Sequence, residues 1–219
     1  MSLNYQLEME KILQNLPDQK KRLLLHSCCA PCSSYVLEYL RQYFAITVFY
    51  FNPNISEESE YRTRVIEQKR LIAEMNASGE RENEILIMEG DYEPNQFFHR
   101  IKGLEGEKEG GARCTPCFEL RLFETARIAA EGGYDFFTTT LSISPLKNAV
   151  LLNEIASRAS DLYQVSHLPS DFKKKNGYKR SVELSKEHEL YRQDYCGCIF
   201  SKMQREEQLP REETIEENT

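Results

Sequence analysis

No stretch of this 219-residue chain holds the ~20 consecutive apolar residues needed to cross a bilayer, and no signal-peptide pattern opens it. A membrane-spanning or exported protein is therefore not expected, and a cytoplasmic one is. Positive charge is also in deficit. With 28 Lys and Arg against 35 Asp and Glu the net charge is −7, which argues against general nucleic-acid binding while leaving room for a local basic patch. No internal repeat is present, and hydrophobic and charged contents of 40% and 29% are ordinary for a soluble globular protein. A chain this long can fold as one α/β domain with a real core, or as one domain with a small lobe.

What the chain does have is cysteine. The seven cysteines, at 28, 29, 32, 114, 117, 196 and 198, are odd in number and grouped. Grouping of this kind in a cytosolic chain points to metal ligation or thiol redox chemistry rather than to a disulfide framework. The first group, in His26-Ser-Cys-Cys-Ala-Pro-Cys32, follows the apolar run Leu23-Leu24-Leu25 and precedes an amphipathic helical pattern over 33–44. That places three thiols in a strand-to-helix turn. Adjacent side chains of an extended strand point to opposite faces, so Cys28 and Cys29 can serve one ligand only where the chain turns. Pro31 suits the first turn of a helix, whose free N–H groups favour thiolates or an anionic cluster beside them.

Along the chain the pattern alternates. A polar helix is expected over 4–15, then strands over 23–25, 46–51, 84–88, 135–140 and 162–165. Between them helices are expected over 57–77 with Ser56 as N-cap, 95–101, 118–131 and 146–159, and a last one over 181–192. Strands alternating with helices predict a mostly parallel sheet, with ligands outside the carboxyl ends of its strands. The first cysteines, Asn52-Pro53-Asn54 and Ser142 to Ser144 all fall at such ends. A glycine-rich segment, with Gly103, Gly106, Gly110 and Gly111, runs into Cys114-Thr-Pro-Cys117 and is expected to cover a site.

Cys28-Cys29 with Cys114 and Cys117 makes a candidate four-thiolate site for zinc or an iron–sulfur cluster. Spacing leaves both open, and the adjacent pair favours the cluster. Cys32 could bind a second metal, attack a substrate or face a helix interface. Cys196-Gly-Cys198 is suited to a strained, labile disulfide, and further metal ligation is the alternative. The run from Phe172 to Arg180 carries five positive charges and two aromatics, so it could grip a phosphate backbone or stack a base; Arg100, Lys102 and Arg113 could add contacts.

Together, Leu24 to Cys32, Phe51-Asn-Pro-Asn54, Arg113-Cys-Thr-Pro-Cys117, Thr138 to Pro145 and Tyr195-Cys-Gly-Cys198 resemble the QueH family of epoxyqueuosine reductases over residues 23–202. The resemblance implies a single-domain, HUP-like (Rossmann-like) α/β fold with flanking helices. It implies that epoxyqueuosine at the tRNA wobble position loses its epoxide oxygen, the last step of queuosine synthesis. Its cofactor would be a [4Fe–4S] cluster on Cys28, Cys29, Cys114 and Cys117, adjoined by a mononuclear iron with Cys32 as candidate ligand. Cys196 and Cys198 would form the redox-active pair. The partners would be that tRNA and an electron donor of unidentified kind. On this reading the chain comprises a helical arm over 1–20, an α/β metalloenzyme domain over 21–202 and a charged, flexible tail over 203–219.

Removing an epoxide oxygen as water takes two electrons and two protons. A dithiol can hold the electron pair, and Asp194, Tyr195 and His26 are proton-donor candidates by position. The chain lacks the Ser-Gly-Gly-x-Asp-Ser run of PP-loop enzymes, so ATP use is not expected. Two other functions would use the same residues: a zinc-stabilised RNA-binding module without catalysis, and a PP-loop-like tRNA sulfur transferase with Cys32 or Cys198 as carrier.

Overall fold

A computed structural model of the chain describes residues 3–78 and 84–208. Five parallel strands form its centre: β1 (Lys21–His26), β2 (Phe44–Tyr50), β3 (Leu86–Glu89), β4 (Phe136–Thr139) and β5 (Ser166–His167), in the spatial order β3-β2-β1-β4-β5. Parallel neighbours need crossovers, which here are largely helical. The helices are α1 (Tyr5–Gln14), α2 (Ala30–Leu40), α3 (Glu58–Ala77), α4 (Pro94–Arg100), α5 (Cys114–Glu131), α6 (Ala149–Tyr163), α7 (Gly177–Glu187) and α8 (Ile199–Gln208). This is the expected Rossmann-like α/β architecture. The chain moves outward from β1 through β2 to β3, then returns to the other side of β1 with β4. The crevice at that reversal, beyond the carboxyl ends of β1 and β4, is where this topology takes its ligands.

Period-two alternation divides β1 between two cores. Leu23 and Leu25 pack with Met9, Val36, Leu37 and Leu71, whereas Leu24 packs with Phe118, Leu122, Leu152 and Ile155 on the opposite face. Both faces are covered, which is why β1 and β2 read as continuous apolar runs. The N-terminal helix α1, capped by Asn4 Oδ1 accepting from Leu7 N at 3.3 Å, contributes Met9 and Leu13 to the first of these cores.

Several boundaries differ from expectation, each for a local reason. Helix α2 starts at Ala30 rather than Ser33, because Pro31 already fits a first turn, and it ends at Leu40 so that Phe44 opens β2. Helix α5 starts at Cys114, so Cys114-Thr-Pro-Cys117 is itself the first helical turn. Pro116 is tolerated there because the N–H it lacks would have no intrahelical acceptor. Ser56 does not cap α3; Glu57 occupies that position, and Ser56 Oγ accepts from Ile199 N at 2.9 Å, at the start of α8. Helix α6 runs through Leu162 and Tyr163 until Gln164 turns the chain in the left-handed region at φ 54, which pushes the last strand on to Ser166–His167. Helix α7 starts at Gly177 and ends at Glu187, ahead of the expected span.

The glycine-rich segment before α5 folds against the site. Arg113 is buried and donates to the carbonyls of Glu105 and Glu107, and Glu109 N donates to Gln204 Oε1 at 2.9 Å. The first residues of the expected charged tail belong to α8, and residues 209–219 lie outside the described residues. Among the described residues no helix is long and apolar enough to cross a membrane.

Candidate active site

Strand β1 delivers Cys28 to the carboxyl edge of the sheet, where its N–H lies 3.4 Å from Thr140 Oγ1, just past the end of β4. Cys29 is fully extended at φ −175, and the helix begins immediately after it. The change of direction brings the two adjacent side chains together, with their sulfurs 3.8 Å apart. Cys32 adds a third from the first turn of α2, and the Sγ atoms of Cys28, Cys29 and Cys32 all lie within 4.8 Å of one another. Gln68 of α3 pins this turn by accepting from Ser27 Oγ at 2.7 Å and Ser33 Oγ at 3.0 Å.

The three thiols differ in acidity. Hydrogen bonds from Cys29 and Cys32 hold Cys28 well below the usual thiol range against the opposing effect of burial, and Arg121 and Lys147 assist. Cys29 and Cys32, which donate, are correspondingly raised. Cys28 is the most acidic of the three.

Cys114 and Cys117 come from α5 and are not part of this close triad. Cys114 Sγ accepts from Gly110 N at 3.2 Å, and burial pushes Cys117 up to about 12. One turn further along the same helix face stands Arg121, which is buried. It donates through Nη2 to Asn52 Oδ1 at 2.6 Å and through Nε to His26 Nε2 at 3.2 Å, while its Nη1 has no partner among the described residues.

Two adjoining cavities connect the thiol groups. The outer, of about 180 Å³, is lined by Cys28, Cys29, Cys32 and Arg64, and the inner, of about 50 Å³, by Cys114, Cys117 and Cys198. Glu109, Lys147 and Cys196 line both. Cys196 thus faces both groups, and its Sγ is 3.4 Å from Lys147 Nζ, which lies 3.8 Å from Glu109 Oε1. Burial opposes the charge of Lys147, yet Cys196 and Glu109 outweigh it and hold the ammonium above the usual lysine range.

Cys198 is only 8% exposed and sits beside Ser201 Oγ at 3.4 Å. Between the two thiols, Gly197 takes φ +120, and a Cβ there would lie 2.8 Å from Ile55 Cγ1. Arg64 fixes the preceding backbone, donating to Cys196 O at 3.1 Å and to Tyr195 O at 3.4 Å while paired to Glu60 at 2.6 Å. All seven cysteines are free thiols.

The basic run is largely neutralised where it stands. Lys173 pairs with Asp171, Lys175 with Glu10 at 2.6 Å, and Arg180 with Glu38 and Glu187, each at 2.7 Å. Lys174 is exposed and has no ion-pair partner among the described residues. Phe172 is a core residue, whereas Tyr178 is 41% exposed and lines the outer cavity. Burial of Arg113 removes it from any surface contact. Lys147, Glu109, Arg64 and Arg121 were not legible as site residues. Only Arg121 had a local signal, since Cys114, Cys117 and Arg121 repeat at helical spacing on one face.

The family described as "Epoxyqueuosine reductase QueH" matches residues 23–204 of the chain. A protein of that name from Streptococcus pyogenes serotype M1 is 42% identical over 211 residues, covering 93% of this chain and 82% of that protein. One from Staphylococcus epidermidis is 43% identical over 208 residues, with 91% and 87% covered. One from Thermotoga maritima is 34% identical over 188 residues, with 84% and 92% covered.

Proposed function

The chain belongs to the epoxyqueuosine reductase QueH family, and on that footing we propose that it removes the epoxide oxygen of epoxyqueuosine in tRNA, the last step of queuosine synthesis. The observation that carries this reading is the clustering of Cys28, Cys29 and Cys32 within 4.8 Å in the lining of a cavity that Cys196 also lines.

The donor set fits the [4Fe–4S] cluster expected for the family. It offers soft thiols, one of them held toward the thiolate, beside a buried guanidinium whose Nη1 lacks a partner and would meet an anionic group. Cys28, Cys29, Cys114 and Cys117 would hold the cluster, and Cys32 an adjoining iron. When bound, these metals supply single-electron transfer and a Lewis acid for the epoxide oxygen.

The protein's own residues do the rest. Cys196 and Cys198 hold the electron pair as a dithiol, and Gly197 gives the backbone the turn that their approach requires. Arg64 fixes the carbonyls of that turn so that Cys196 faces the cavity. The tRNA meets the protein through the exposed Lys174 and through Tyr178, which lines the outer cavity. An electron donor of unidentified kind restores the dithiol.

The test is to purify the protein anaerobically, measure iron and sulfide, and incubate the reduced enzyme with tRNA carrying epoxyqueuosine. Mass spectrometry of the nucleosides should register loss of one oxygen. A colourless zinc protein that leaves the tRNA unchanged would refute the reading.

A further inference from the structure

The reduction consumes two protons, and sequence position suggested three residues to supply them. His26 is fully buried, lines neither cavity and spends both ring nitrogens, Nδ1 on Thr139 Oγ1 at 2.8 Å and Nε2 on Arg121 Nε at 3.2 Å. Asp194 lines the outer cavity, but its side chain is 61% exposed and turned to Arg205 at 3.4 Å. Tyr195 also lines that cavity, with its ring 5.3 Å from the Arg64 guanidinium. None of the three makes a hydrogen bond to a cysteine sulfur.

Lys147 does. Its side chain is only 11% exposed, it lines the wall common to both cavities, and its Nζ touches the Sγ of Cys196. We propose that Lys147 is the proton donor of the reduction, delivering a proton from Nζ to the epoxide oxygen as its C–O bonds break. This rests on the reading of Cys196 and Cys198 as the redox pair.

The step balances within the protein. The reduced pair is a dithiol, with Lys147 Nζ against Cys196 Sγ at 3.4 Å. Formation of the Cys196–Cys198 S–S bond releases two electrons. The epoxide loses its oxygen and becomes an alkene, the oxygen takes the Lys147 proton and the Cys198 proton, and water leaves. Lys147 takes up the Cys196 proton as the disulfide closes, so the two thiol protons are the ones that leave in water. Glu109, 3.8 Å away, keeps the ammonium oriented in the cavity wall.

The test uses anaerobically purified, metal-loaded, pre-reduced enzyme in a single turnover with epoxyqueuosine tRNA, so that no external reductant is needed. Lys147→Met should slow conversion about 100-fold or more, with iron, sulfide and tRNA affinity unchanged. Lys147→Arg, which keeps the charge but holds its proton far more tightly, should retain the metals yet stay slow. A second readout needs no turnover. Iodoacetamide alkylation of Cys196 at pH 7, followed by peptide mapping, should slow about tenfold in Lys147→Met, while Cys198 stays slow throughout. Conversion by Lys147→Met within threefold of the wild type, or Cys196 alkylation unaltered by the substitution, would overturn the assignment. Failure of the wild type to convert the tRNA would overturn the reductase reading with it, which separates the two failures.

Discussion

Arg121 Nε donates to His26 Nε2 at 3.2 Å inside the protein, joining the first turns of α5 to the end of β1. Because Nε2 accepts, the single ring proton belongs on Nδ1, where Thr139 Oγ1 receives it at 2.8 Å. Burial, reinforced by the neighbouring guanidinium, lowers the His26 pKa to about 3, so the ring is neutral. His26 is therefore a brace between elements.

The brace is testable in the metal-free protein. Removing a partner from a buried charged network costs ~3–5 kcal/mol, and orphaning a single buried donor ~1–3 kcal/mol. Arg121→Met should accordingly lower stability to urea more than His26→Ala does. Equal and negligible shifts of the two unfolding midpoints would contradict it.

Gly197 holds a conformation that L-residues rarely adopt and packs where a Cβ would strike Ile55. Gly197→Ala should cost ~1–3 kcal/mol, and should separate the two thiols. Under mild oxidation the Cys196–Cys198 disulfide should then form more slowly and at a more oxidising potential. Peptide mapping across a glutathione redox series measures both.

Charge substitutions in the basic run should have unequal effects on tRNA affinity. Lys175 is already paired with Glu10, whereas Lys174 has no ion-pair partner among the described residues. Lys174→Ala should weaken binding and flatten its salt dependence by a slope of about 0.7–0.9, and Lys175→Ala should do less. Tyr178→Ala should cost a further ~1–3 kcal/mol if a base stacks there. Filter binding at several salt concentrations distinguishes these outcomes; equal losses for both lysines would rule out the pairing argument.

Far from the thiols, His167 lies against the Phe137 ring, and burial lowers its pKa to about 3. The folded state therefore resists protonation that the unfolded chain accepts near 6.5. Its contribution is complete above that pH and is lost as pH falls toward 3, by at most ~1.4 kcal/mol per pH unit. His167→Phe should flatten the fall in urea midpoint between pH 6.5 and 5. A slope identical to the wild type would contradict the shift.

The cysteine groups and the core strands were readable from the chain because both signals are local. Thiol spacing identifies chemistry, and an apolar run flanked by helices identifies a strand covered on both faces. Helix starts at Pro31 and Pro116 were placed a few residues late, since a proline that ends one helix can equally open another. The contact between Lys147 and Cys196 has no signature at all. It spans 49 residues and depends on the loop after β4 meeting the segment before α8. A lone lysine and a lone glutamate in charged sequence look like solvated surface until topology brings them to a sulfur.

Every thiol of the chain comes from the rim where β1, β2 and β4 terminate, or from a segment folded over it. The opposite rim, where Lys21 meets Asp135 at 3.0 Å, carries none of this chemistry. An enzyme immobilised by that rim would present its whole reactive surface outward, so a bulky nucleic acid and a protein reductant could reach the anchored molecule without competing with its support.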